Sequence, residues 1–211
     1  MYRDGKISDY LADAASARPA PGGGSVSAMV AALGTTMGSM AANFTVGRKK
    51  FAHVEPQVAR ILARLDVLRG QLVALVDDDV AAYTVVGSAF ALPKDTDEQK
   101  ALRRAQIQSA LTVAMDVPLR IMDASLAALE CVAELVDVAN PNLLSDVGVS
   151  AVVLEAALRA ARLNVDVNLD GLDDQPLVAR TRLRVGALAD RARELHDAVL
   201  ARIGQGRGHG K

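Results

Sequence analysis

Apolar positions along this chain recur every three to four residues, the spacing of helix faces, and nowhere alternate as in a half-buried strand. Ile7, Leu11 and Ala14/Ala15 share one side of a short segment, 7–17, that Pro19 and Pro21 stop. A small-residue run, Val26 to Asn43, predicts a second helix starting at Ser25. Val58, Ile61, Leu65, Leu68, Leu72, Leu75, Val76 and Tyr83 form one stripe through a long helix, 54–91, with Gly87 as the point where it would break or bend. Thr96 with Gln99, or Asp95 with Glu98, has capping-box spacing and opens a helix to about Met115. Pro118 then either opens a new helix or kinks a continuous one, and helix resumes over 119–139. The next helix carries Asp146, Val149, Val153, Ala160 and Asn164 on its predicted inner stripe and ends near Leu169. A turn at Gly171–Asp174 leads to the last helix, with Pro176 in its first turn, a stripe of Leu177, Leu183 or Arg184, Leu188, Leu195 and Val199, and an end near Ile203. Residues 204–211 read as a Gly-rich disordered tail. The expected fold is all-α, an antiparallel bundle of about six to seven helices in a single domain, 1–203, without internal repeats.

Composition narrows the function classes. Apolar residues are 51% and charged residues 23%, with a net charge of −1, a balance that argues against nucleic acid and anionic membranes as partners. No run approaches the ~18 apolar residues of a membrane span, and the N-terminus lacks an apolar signal region, so a cytoplasmic location is expected. Aromatic residues are only 3% and Trp is absent while Ala abounds, which predicts helices packed closely. Gly34 and Gly38, on one face of the second helix, mark it as a thin central helix; whether they face the same chain or a second copy is open. The single Cys131 rules out an internal disulfide and a Cys-based zinc site, and its apolar neighbours make it a buried bystander. His53 and His196 are isolated and His209 lies in the tail, so no metal site is expected.

Four stretches carry candidate chemistry. Pro21-Gly22-Gly23-Gly24-Ser25 reads as a loop whose missing Cβ atoms allow close approach to backbone donors, with Ser25 as the N-cap of a helix whose positive end faces a ligand. The basic loop Arg48-Lys49-Lys50, between Phe44 and Phe51, is either a solvated turn or a grip for a carboxylate. Asp79 falls near the centre of an apolar stripe, whereas Asp77 and Asp78 point away from it. A carboxylate so placed must be paired, hydrogen-bonded or functional, since burying it alone is costly. Asn140-Pro141-Asn142-Leu143-Leu144-Ser145-Asp146 gathers polar groups before a helix, where Ser145 or Asn142 could simply cap. Asp146 and Asn164, 18 residues apart, lie about 27 Å from one another on a straight helix, so they serve opposite ends of a long ligand or two sites across an oligomer interface.

Seven stretches in order carry a resemblance: Pro-Ala-Pro-Gly-Gly-Gly-Ser at 19–25, Thr-Val-Gly-Arg-Lys-Lys-Phe at 45–51, Asp-Asp-Val-Ala-Ala-Tyr at 78–83, Leu-Pro-Lys at 92–94, Asp-Val-Pro-Leu at 116–119, Asn-Pro-Asn-Leu-Leu-Ser-Asp-Val-Gly-Val at 140–149 and Leu-Asn-Val-Asp-Val-Asn at 163–168. The chain resembles the formiminotetrahydrofolate cyclodeaminase family, which includes stand-alone methenyltetrahydrofolate cyclohydrolases, from about residue 5 to 200. Arg48, Ala139 and Val147 depart from the family's usual Lys, Gly and Ala, and Val147 would narrow the site slightly. The resemblance implies a helical homodimer with a tetrahydrofolate derivative bound near the interface, and no other cofactor or metal. It implies Asp79 and Asp146 as acid–base candidates with Lys49 beside them. Gly22, Gly23, Gly24 and Ser25 would admit the ring or tail, Lys50 with Lys49 would hold the glutamate tail or oppose an anion, and Asn142, Ser145, Asn164 and Asn168 would bind the remaining polar groups. The stand-alone length leans toward cyclohydrolase, with cyclodeaminase, a non-catalytic folate-binding module and a purely structural dimer as alternatives.

Overall fold

The computed structural model describes residues 1–207, and its elements are helical throughout: α1 (Ile7–Ala14), α2 (Gly23–Asn43), α3 (Glu55–Phe90), α4 (Asp97–Leu135), α5 (Leu144–Asp170) and α6 (Gln175–Arg207). Short 3-10 turns occupy Tyr2–Asp4, Lys49–Phe51 and Pro141–Leu143. No strand occurs among the described residues.

α2 lies at the centre, packed on α3, α4 and α5. A Cβ at Gly34 would meet Leu154 Cγ at 3.0 Å and the Leu154 backbone N at 3.2 Å; one at Gly38 would meet Ser150 Oγ, Leu65 and Val132 at 3.2–3.3 Å. Both glycines therefore admit helices of the same chain, and Ser150 Oγ donates to the Gly34 carbonyl at 2.7 Å across the α2–α5 contact. The same contacts set the directions. Gly24 lies at Asp79 and Gly38 at Leu65, so α2 and α3 are antiparallel; Gly23 lies at Asn164 and Gly38 at Ser150, so α2 and α5 are antiparallel too. By length and composition α2 is the one described helix that could cross a membrane, yet 61% of its most apolar window is buried, as expected of a core helix.

The structure revises several helix expectations. α3 runs unbroken through Gly87. α4 is one helix through Pro118, opened by the Thr96–Gln99 capping box, and its Cys131 is fully buried. Continuity through a proline leaves the carbonyl four residues back without its N–H partner. That carbonyl is Ala114's, and Asn168 of α5 donates to it at 3.4 Å and to the Asn164 carbonyl at 2.8 Å. α1 is shorter than expected and turned over: Ile7 and Leu11 are exposed while Tyr10 is buried. The inner face of α5 is Val147, Ser150, Ala151, Leu154, Leu158, Ala161 and Val165, with Val149 and Ala160 outside. The predicted α5 stripe was displaced because small residues line both sides of this helix, and apolarity alone does not choose between them. α6 likewise buries Val178, Val185, Ala189, Ala192 and Val199 and exposes Leu183 and Arg184. It also continues as helix to Arg207, through the first residues of the expected tail; residues 208–211, with His209, lie outside the described residues.

Candidate active site

Three consecutive aspartates on α3 point in three directions, about 100° apart. Asp77 accepts from the Tyr2 backbone N–H at 2.7 Å and the Arg3 N–H at 3.4 Å, tying down the N-terminal segment. Asp78 faces Arg120 at 3.5 Å on the surface. Asp79 turns into the start of α2.

There the structure corrects the expected loop. Gly22 is the N-cap, and Gly23, Gly24 and Ser25 already form the first turn of α2, so Ser25 is not the cap. One first-turn donor finds its acceptor on another helix: the Ser25 N–H donates to Asp79 Oδ2 at 2.8 Å. Gly24 is needed because a Cβ there would overlap the carboxyl group, 2.6 Å from Cγ and 2.9 Å from Oδ2, with Oδ1 nearer still. Among the described residues Asp79 Oδ1 has no protein donor. Burial pushes the Asp79 carboxyl up from the usual carboxylate range, and the Ser25 N–H only partly opposes the shift.

Ser25 is fully buried. Its hydroxyl donates to the Val76 carbonyl at 2.9 Å, so it accepts from the Tyr10 hydroxyl at 3.1 Å. Tyr10 in turn meets Tyr2 edge to face at 5.2 Å. α1 thus fixes the α2 start from behind. The sequence reading missed Tyr10; the available signal was the one aromatic residue on this short helix.

On the other flank of the α2 start, a Cβ at Gly23 would lie 3.0 Å from Asn164 Oδ1. Asn164 Nδ2 is held by the Ala160 carbonyl at 3.0 Å. Gly22 to Ser25, Asp79 and Asn164 are therefore brought together, with Asn168 one turn below, its amide N–H groups engaged with the α4 and α5 backbones.

The remaining candidates gather at the opposite end of α2. Its 21 residues span about 30 Å. Lys49 and Lys50 lie exposed in the 3-10 turn beyond Asn43, after a bend that requires Gly47 at φ 72°, and Lys50 Nζ sits 5.6 Å over the Phe51 ring. Thr45 Oγ1 accepts the Asn140 N–H at 2.9 Å, which joins this loop to the start of α5. There the Asn140 side chain caps the 3-10 turn by accepting from the Asn142 N–H at 3.1 Å, whereas α5 has Leu143 at its N-cap and no side-chain cap, so neither Asn142 nor Ser145 caps it as expected. Asn142 and Ser145 are exposed, and Asp146 is half-buried in the first turn of α5 with neither hydrogen bond nor ion pair among the described residues. Within one chain, Asp146, Lys49, Lys50, Asn142 and Ser145 do not share a site with Asp79.

A carboxyl group kept partly from water, with one oxygen free of protein donors among the described residues, is suited to acid–base chemistry, and it sits in an all-helical bundle. Comparison with known proteins narrows that class. The formiminotransferase-cyclodeaminase family profile matches residues 6–187, and the chain belongs to that family. It is 37% identical over 193 residues to the methenyltetrahydrofolate cyclohydrolase of Methylorubrum extorquens, covering 92% of this chain and 93% of that one. It is 32% identical over 200 residues to the formimidoyltransferase-cyclodeaminase of Rattus norvegicus, covering 95% of this chain and 37% of that longer one. The crystal structure of formiminotetrahydrofolate cyclodeaminase from Thermotoga maritima shares the fold, with a TM-score of 0.88 over 97% of this chain and 98% of that one at 23% identity.

Proposed function

We propose that this protein is a methenyltetrahydrofolate cyclohydrolase acting in the cytoplasm, and that Asp79 is its acid–base group. The observation that carries the proposal is the seat of Asp79: one oxygen fixed by the Ser25 N–H, the other free, the whole group desolvated against Gly24. Methenyltetrahydrofolate carries a cationic amidinium carbon, which a desolvated carboxylate attracts. Water adds to that carbon while Asp79 accepts one of its protons. The carbon–nitrogen bond of the adduct then breaks, Asp79 returns the proton to the departing nitrogen, and the remaining hydroxyl proton leaves to solvent as the formyl group forms. Asn164 Oδ1 and the glycine edge of α2 supply polar contacts for the pterin.

The second cluster fits this reading in a homodimer. Val26 and Leu33 on α2 and Val149, Val152, Leu163 and Val167 on α5 are exposed apolar side chains along two antiparallel neighbouring helices. Exposed apolar side chains aligned on neighbouring helices support an interface there. Two copies pairing antiparallel across it would set the Asp79 end of one beside the Lys49, Lys50, Asn142, Ser145 and Asp146 end of the other, and Lys49 and Asp146 would then reach the reacting ring.

The assay is the loss of methenyltetrahydrofolate absorbance: the purified protein should accelerate it, and a rate no faster than buffer rejects the reading. The 32% identity to a formimidoyltransferase-cyclodeaminase supports a second reading, ring closure of formiminotetrahydrofolate with loss of ammonia. Ammonia release from that substrate, measured beside the first assay, decides between them.

A further inference from the structure

The start of α2 has little of its own to hold it. Gly22 is an N-cap without a side chain, and Gly23 and Gly24 follow it. Ser25 is therefore the first residue of the helix whose side chain can grip its surroundings, and its backbone N–H is the group bound to Asp79 Oδ2. Where Ser25 sits decides where the other Asp79 oxygen points.

Two hydrogen bonds fix the Ser25 hydroxyl, which donates to the Val76 carbonyl of α3 and accepts from Tyr10 of α1. Of the chain's three tyrosines, Tyr83, expected within the α3 stripe, stands 49% exposed, whereas Tyr10 is only 3% exposed. A buried phenol needs a partner, and among the described residues the Tyr10 hydroxyl has Ser25 alone. Tyr10 is itself held. Its ring meets the Tyr2 ring, the Tyr2 hydroxyl donates to Asp13 of α1 at 2.9 Å, and the Tyr2 backbone N–H donates to Asp77 at 2.7 Å. The contacts thus leave α3 at Asp77, pass through Tyr2, Tyr10 and Ser25, and return to α3 at Val76 and Asp79. A closed, fully satisfied circuit of this kind rigidifies the glycine turn it encloses.

We infer that Tyr10 is a positioning residue for the reaction: acting through the Ser25 hydroxyl, it holds the Ser25 N–H against Asp79 Oδ2 and so aims the free Oδ1 at the substrate. This rests on the reading of Asp79 as the acid–base group of a folate enzyme. The Ser25 N–H opposes the rise that burial imposes on the Asp79 carboxyl, so loosening that bond raises the carboxyl further. The other charged groups near this seat are Asp77, 3.9 Å from Arg3, and Asp78, 3.5 Å from Arg120 of α4. Tyr10 is the titratable group that α1 brings to Ser25, while the α2 start and the α5 segment beside it present Gly23, Gly24, Ser25 and Asn164, which do not titrate.

The test compares Tyr10→Phe with wild type in the full chain, on methenyltetrahydrofolate. The ring and its packing stay; only the hydroxyl goes. kcat should drop about tenfold with KM within about twofold, and the acid limb of the kcat/KM profile should move to higher pH. Ser25→Ala should act in the same direction, and the double variant should be no slower than Ser25→Ala, because Tyr10 works through Ser25. Tyr2→Phe, which keeps the ring contact and loses the Asp13 bond, should retain kcat. An unchanged kcat in Tyr10→Phe, a drop in kcat with an unmoved acid limb, or losses that multiply in the double variant overturn the inference. Carbon-13 NMR titration of the Asp79 carboxyl separates this question from turnover. Should the wild type act on neither folate substrate, the functional reading fails, yet a carboxyl pKa raised in Tyr10→Phe still supports the brace and an unmoved one rejects it. If circular dichroism shows Tyr10→Phe unfolded, the same titration of Ser25→Ala decides by the same two outcomes.

Discussion

Burial and the proposed base role pull Asp79 in opposite directions. Its carboxyl is raised above the ordinary value of 3.8 because the folded protein desolvates it. A group with a raised folded pKa adds stability that is fully present below its unfolded pKa and is lost as pH rises through the folded one. At neutral pH the ionised Asp79 is therefore a cost to the fold, and in the proposed base role it would work only above its raised pKa. Asp79→Asn should lower kcat by about 10²-fold or more while leaving the neutral-pH Tm unchanged or higher, and the acid limb of the kcat/KM profile should lie above the ordinary carboxylate range. A Tm that drops sharply in this variant would make Asp79 a structural group. Gly24→Ala tests the same seat from the other side: the new Cβ displaces the carboxyl group, so activity should drop as far as in Asp79→Asn, with helical circular dichroism retained.

Between helices, the polar contacts repair what the backbone leaves undone. The first turn of α2 has no capping side chain of its own, and α3 supplies the acceptor. α4 loses a donor at Pro118, and α5 returns one through Asn168. A residue proposed from sequence as a pterin ligand is thus also a structural bridge. Asn168→Ala leaves the Ala114 carbonyl without that donor and should cost about 1 kcal/mol, read as a lower urea midpoint at constant m-value. A variant as stable as wild type would leave Asn168 free for ligand alone.

The assembled molecule places two polar ends about 30 Å apart along α2, with an apolar face between them. If pairing of two copies unites those ends, Leu33→Asp should give a monomer by sedimentation and a large loss of activity. Mixing Asp79→Asn with Asp146→Asn protein should recover part of the activity, because a mixed dimer holds one site free of both substitutions. No recovery after subunit exchange would confine the site to a single chain.

Much of this was legible beforehand for a physical reason: helix periodicity, proline stops and the Thr96–Gln99 box are local, so an all-helical bundle of about six to seven helices could be read from spacing, with continuity through Gly87 and Pro118 left to the structure. Asp79 was legible because a carboxylate on an apolar stripe conflicts with its surroundings. Family likeness tied that residue to folate chemistry. What only the tertiary structure decided depends on which neighbour meets which face: Ser25 as a buried first-turn residue rather than a cap, Tyr10 behind it, Asn168 answering Pro118, and the true inner side of α5. Small residues line this chain's helices on more than one side, so apolarity left the facing open, and close packing between helices settled it.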